Sequence, residues 1–65
     1  MKWSEIKRRL KKYGCYKFIE ASNHEIWKNP KNGKTKTLGR HDSQEVGTKT
    51  AYDIFKVLDI PMYDD

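Results

Sequence analysis

Apolar residues in the first part of the chain recur at helical intervals. Trp3, Ile6, Leu10 and Tyr13 are spaced by three, four and three positions, which places them on one stripe of an amphipathic helix. Lys7, Arg8, Arg9, Lys11 and Lys12 clothe the rest of its surface. Ser4 is a natural N-cap, because its hydroxyl can accept from a free amide of the first turn. Gly14 is a natural stop, since glycine enters the left-handed region without a side-chain penalty. The spacing predicts a helix over 4–13.

The period then changes. Residues 15–20 and 24–28 are rich in Tyr, Phe, Ile and Trp and read as strands, separated by the small polar run Ala21, Ser22 and Asn23. Residues 29–33 form a turn, because Pro30 cannot donate to a ladder and Asn32 with Gly33 suits positive φ. A short third strand is expected over 34–38, and a polar loop over 39–47. Ala51, Ile54, Phe55 and Leu58 then form a second helical stripe, with Thr48 as the expected N-cap and Pro61 ending the helix near Asp59. Residues 62–65 are expected to fray. Two amphipathic helices and a short antiparallel meander pack most economically with both apolar stripes on one sheet face. The expectation is a single α+β domain over residues 1–65, in the order α-β-β-β-α, with the other face of the sheet open.

Length and charge narrow the function. A chain of 65 residues buries only roughly 60% of its unfolded surface, so the core is thin. Fourteen Lys and Arg against nine Asp and Glu leave a formal charge of +5. Such an excess on so small a body favours polyanions, nucleic acid first and anionic membrane second, with plain solvated surface as the bland reading. Cys15 is the single cysteine, which excludes an intramolecular disulfide, and one Cys with two His makes no zinc set. No metal or other cofactor is expected. Nor does any apolar run approach a membrane span or a signal-peptide core, so a cytoplasmic location without membrane contact is expected.

The candidate chemistry centres on His24. Imidazole exchanges protons near neutral pH, and His24 lies in the run Ser22-Asn23-His24-Glu25-Ile26-Trp27-Lys28-Asn29-Pro30. Lys28 shares its strand face at a spacing of four, and Arg40 is a second nearby cation candidate. His41 is either a supporting acid–base group or a loop histidine that touches phosphate. Of Ile26 and Trp27 one must face the helices. Trp27 reads as core before stacking platform, while Tyr13 and Tyr16 could stack on bases. Lys7, Arg8, Lys11, Lys12, Lys31, Lys34 and Lys36 could track phosphates.

Three blocks resemble one family. They are the amphipathic helix ending in Tyr13-Gly14-Cys15-Tyr16; the His24 run, similar to a Gly-Ser/Thr-(Asn)-His-x-x-aromatic-x-His-Pro signature; and Gly39-Arg40-His41, followed by Glu45 and by Gly47-Thr48 leading into the last helix. Together they resemble the HicA toxins, small mRNA interferases of HicA–HicB type II toxin–antitoxin pairs. Ala21 and Asn29 depart from the family's frequent Gly and His. The resemblance implies a double-stranded-RNA-binding-domain-like fold and a toxin endoribonuclease that cleaves mRNA. It also implies His24 as the catalytic histidine and a HicB antitoxin that covers it. A non-catalytic RNA-binding module of the same fold is the alternative, and a DNA-binding repressor subunit a more distant one, because neither helix reads as a recognition helix.

Overall fold

The computed structural model, which describes residues 1–63, runs α1 (Trp3–Lys12), β1 (Tyr16–Glu20), β2 (His24–Lys28), β3 (Thr35–Gly39) and α2 (Thr48–Leu58). The strands form one antiparallel sheet in the order β1-β2-β3. Ile6 and Leu10 from α1 and Ala51, Ile54, Phe55 and Leu58 from α2 share one core with Trp27 of β2 and Leu38 of β3. Both helices therefore cover the same face of the sheet, as their apolar stripes require.

Helix ends are closed by the rest of the fold more than by their own side chains. α1 begins one residue earlier than expected, and Ser4 lies inside it. The Trp3 and Ser4 amides donate to the carbonyls of Gln44 and Asp42, at 3.2 and 3.1 Å, and the Glu5 carboxylate accepts from the Lys2 amide at 2.9 Å. The loop from 40 to 47 thus satisfies the orphan donors that a Ser4 cap was expected to serve. Thr48 is likewise the first helical residue of α2, because the Gly47 carbonyl accepts the Ala51 amide and takes the cap position.

At the other end of α1, Gly14 has φ 91°, its amide donates to the Lys11 carbonyl, and the Cys15 amide donates to Leu10 at 2.9 Å. These two bonds are a Schellman closure. They explain why Cys15 ends the helix instead of opening β1. α2 closes in the same manner around Asp59, whose φ is 58° and whose neighbour Ile60 donates back to Phe55. Met62 is half-buried against the core, and Arg9 Nε donates to the Pro61 carbonyl at 2.6 Å. The expected fraying therefore does not begin at Met62; Asp64 and Asp65 lie outside the described residues.

β1 differs from its neighbours. All five of its residues are exposed, and a bulge interrupts its pairing with β2: Lys17 opposes Trp27, yet Ile19 opposes Ile26. The extra residue is Phe18, so Phe18 and Ile19 together face one partner.

Candidate active site

His24 opens β2, where it is exposed and pairs with Gly39 of β3. Side chains alternate along a strand, and Glu25, Trp27 and Asn29 are all buried on the helix side. His24, Ile26 and Lys28 consequently project from the uncovered side. The three-residue turn before His24 is closed by the Ala21 amide donating to the His24 carbonyl at 2.9 Å. Arg40 grips the same turn: its Nη1 donates to the Ser22 carbonyl at 2.7 Å and to the Ala21 carbonyl at 3.3 Å. Because Arg40 directly follows the ladder partner of His24, one guanidinium ties the end of β3 to the segment that delivers the imidazole. The Gly39 backbone is itself closely covered, since a Cβ there would lie 2.7 Å from Trp3 Nε1.

Beneath His24, the helix side of the sheet holds a polar network. Trp27 Nε1 donates to Glu25 Oε1 at 2.9 Å, and Lys7 Nζ lies 3.1 Å from the same oxygen and 2.6 Å from Asp42 Oδ1. Burial raises the Glu25 pKa, but hydrogen bonds from Trp27 and Lys7 and the charges of Lys7 and Lys17 outweigh it, so the carboxyl is held below its ordinary range. The Lys7 hydrogen bond lowers Asp42 likewise. Lys7 is therefore not a phosphate-tracking residue: it is buried and neutralised by two carboxylates. Trp27, 2% exposed, is core and not a stacking platform. Asn29 is also structural, its amide donating to the Leu58 carbonyl at 2.8 Å and its Oδ1 accepting from the Lys31 amide. This fixes the β2–β3 turn to the end of α2.

The remaining candidates are spread over the molecule. Lys28 lies on the His24 face, with its ammonium 4.7 Å from the centre of the Phe18 ring. Four residues of strand separate it from His24, about 13 Å at the usual rise. Lys36 turns to the helix side, where its Nζ meets Asp53 at 2.6 Å, so its charge is paired away from His24. Lys11 lies over the Trp27 ring and Lys12 over Tyr13. Arg8, Lys31 and Lys34 are exposed, the last two around the β2–β3 turn. His41 is exposed in the loop after Arg40, and its carbonyl accepts the Gln44 amide. Cys15 is buried, and burial pushes its thiol pKa up; a thiol in that setting is a poor nucleophile. Two features escaped the sequence pattern. Asp42 as the partner of Lys7 is a contact between distant segments, and the bulge at Phe18 leaves no mark in an apolar run.

Comparison with known proteins adds a decisive observation: the family model described as the HicA toxin of bacterial toxin–antitoxin systems matches residues 3–60. The chain belongs to the HicA toxin family. No curated protein and no solved structure matches it. As a HicA toxin it is one half of a toxin–antitoxin system, and its partner is an antitoxin. Among the described residues, no helix is long and apolar enough to cross a membrane. The match extends from the first helix to just beyond the second, so the His24 run, the Arg40 loop and both helices all fall within it.

Proposed function

We propose that this HicA toxin is an endoribonuclease that cleaves mRNA without a metal ion, with His24 as the general acid–base group. The observation that carries the reading is the position of His24: an exposed imidazole on the uncovered sheet face, with Arg40 gripping the turn that precedes it. RNA brings its own nucleophile. His24 takes the proton of the 2′-hydroxyl, the 2′-oxygen forms a bond to phosphorus, and the bond from phosphorus to the 5′-oxygen breaks. The products are a 2′,3′-cyclic phosphate and, once the leaving oxygen is protonated, a 5′-hydroxyl. A well-placed base contributes roughly 10²–10⁴-fold to such a step.

Charge builds on the phosphoryl oxygens as the reaction proceeds, and a fixed cation lowers that barrier. Arg40 is the better placed by ladder position, being next to the partner of His24, whereas Lys28 at about 13 Å along the strand serves a neighbouring phosphate. His41, one residue beyond Arg40, is the candidate for the second proton transfer. Arg8, Lys11, Lys12, Lys31 and Lys34 supply sequence-independent backbone contacts. The α-β-β-β-α order, with two helices on one sheet face, is also that of double-stranded-RNA-binding domains, which supports RNA as the polyanion. A HicB-type antitoxin neutralises the toxin in the cytoplasm by covering His24, and the positive charge of the toxin steers an acidic partner onto it.

The test is the chemistry of the ends. Purified toxin should leave a cyclic or 2′/3′-phosphate upstream and a 5′-hydroxyl downstream, cut as well in EDTA, and fail at a bond whose upstream sugar is deoxyribose. A 5′-phosphate product, or activity lost to chelator and restored by Mg²⁺, would overturn the mechanism. Binding without any cleavage would favour the non-catalytic RNA-binding reading.

A further inference from the structure

The uncovered face of the sheet also carries an apolar strip that the proposed chemistry does not use. On β1, Tyr16, Phe18 and Ile19 are 43, 48 and 47% exposed. Tyr16 pairs with Lys28 and Ile19 with Ile26, so both project from the same side as His24. The Tyr16 and Phe18 rings meet edge to face with centroids 6.3 Å apart, and Lys28 Nζ sits 4.7 Å from the Phe18 centroid. Three large apolar side chains left in water on a 65-residue protein call for an occupant.

The charge on this face says which kind. The bulge at Phe18 turns Ile19 outward and sets Glu20 opposite Glu25 on the helix side. There Lys17 Nζ holds Glu20 at 2.8 Å and lies 3.9 Å from Glu25. With regular pairing Glu20 would oppose His24 and place a carboxylate on the open face. Instead, among the described strand residues, that face presents aromatic rings, Lys28, the His24 imidazole and the hydroxyls of Thr35 and Thr37, and no carboxylate. Rings for flat apolar groups beside a cation for phosphate fit unpaired nucleotides. A duplex keeps its bases stacked inside and offers nothing to a ring.

We propose that the open sheet face binds single-stranded RNA, with bases stacking on Tyr16 and Phe18 and Lys28 holding a phosphate a few nucleotides from the bond at His24. This rests on the ribonuclease reading for the role of His24, but binding can be measured apart from cleavage. The probe is a fluorescent 2′-O-methyl decamer, which has no free 2′-hydroxyl to react, used single-stranded and annealed to its complement.

The wild-type protein should bind the single strand more tightly. A Tyr16→Leu/Phe18→Leu variant keeps apolar bulk and removes both rings. It should lose about ten- to a hundredfold in affinity for the single strand, the loss expected for one to two stacked bases, while duplex binding changes little. Phe18→Trp enlarges the ring and should hold or tighten single-strand binding, which keeps the test decisive should the double variant misfold. Equal losses on single strand and duplex, unchanged single-strand affinity in the double variant, or weakened binding by Phe18→Trp would overturn the proposal. Loss of antitoxin binding with single-strand binding intact would overturn it too, and make the strip a protein-docking surface. Failure of His24→Ala to stop cleavage, with stacking intact, would count against the catalytic reading alone.

Discussion

On the helix side of β2, Glu25, Trp27 and Asn29 are buried, and each is held by a hydrogen bond to a defined partner. One position away in each case, His24, Ile26 and Lys28 look outward with no helix above them. The two faces differ in what they can tolerate. On the covered face Glu25, Trp27 and Asn29 each have a hydrogen-bond partner, and leaving one of them unpaired would be costly. The open face keeps an imidazole, a cation and aromatic rings available, and it can do so because none of them holds the fold together. β2 and the residue after it thus bury a hydrogen-bonded face and expose an imidazole and a cation at alternate positions.

The sharpest way to break this division is at His24. Its replacement by alanine should reduce RNA cleavage by roughly 10²–10⁴-fold, and thermal unfolding should move by no more than about 0.5 kcal/mol. A folded variant that still cuts would remove chemistry from the open face; a variant that unfolds would make His24 structural. The opposite pattern is expected three residues on. Trp27→Ala should cost about 3–5 kcal/mol through the cavity it leaves, a large share of the roughly 5–15 kcal/mol available to a domain. Urea denaturation measures it, and a loss under 1 kcal/mol would mean that the covered face is not the one carrying the fold.

A smaller effect is expected below the sheet. Lys7→Met leaves Asp42 without its hydrogen-bonded cation and Glu25 with only Lys17 at 3.9 Å, and should destabilise by roughly 1–3 kcal/mol, the lower end being favoured because Asp42 is largely exposed. The pH dependence follows in sign. Both carboxyls are held below their ordinary values in the folded protein. Their contribution is therefore complete above the unfolded carboxylate range, about pH 4, and is lost as pH falls through the lower folded values. Denaturation midpoints taken from neutral to acid pH should show that fall in the wild type and a shallower one in Lys7→Met. Identical slopes would remove the network from the account of acid stability. The smallest effect belongs to Arg40. Arg40→Ala releases the Ala21 and Ser22 carbonyls and should lower kcat about tenfold by loosening the placement of His24, with little change in melting. Arg40→Lys restores charge without the two-carbonyl geometry; full recovery by it would show that charge alone matters there.

Much of this arrangement could be read along the chain, because it depends on local periods. The three-four-three spacing from Trp3 to Tyr13 located α1, Gly14 marked its left-handed end, and alternation put His24 and Lys28 on one face of β2. What could not be read depends on contacts between distant segments. Lys7 looks like any other base on a basic helix until Glu25 and Asp42 are brought against it. Ser4 and Thr48 are good caps by composition, yet the Asp42 and Gln44 carbonyls serve the first turn of α1, and Gly47, not Thr48, stands at the N-cap position of α2. The bulge is the subtlest case, because Phe18 and Ile19 are both apolar and no polar residue betrays which of them is extra.

The order in which the core closes has a consequence in time. Ile6 and Leu10 lie in α1, and Ile54, Phe55 and Leu58 of the same core lie in α2, with the whole meander between them. The meander between them consists of short hairpins, which form quickly, whereas contacts across most of the chain wait on loop closure. A chain without α2 would carry His24 on a sheet covered by α1 alone. A chain cut before α2 should therefore lack Ala51, Ile54, Phe55 and Leu58 from its core and fail to hold the sheet that carries His24.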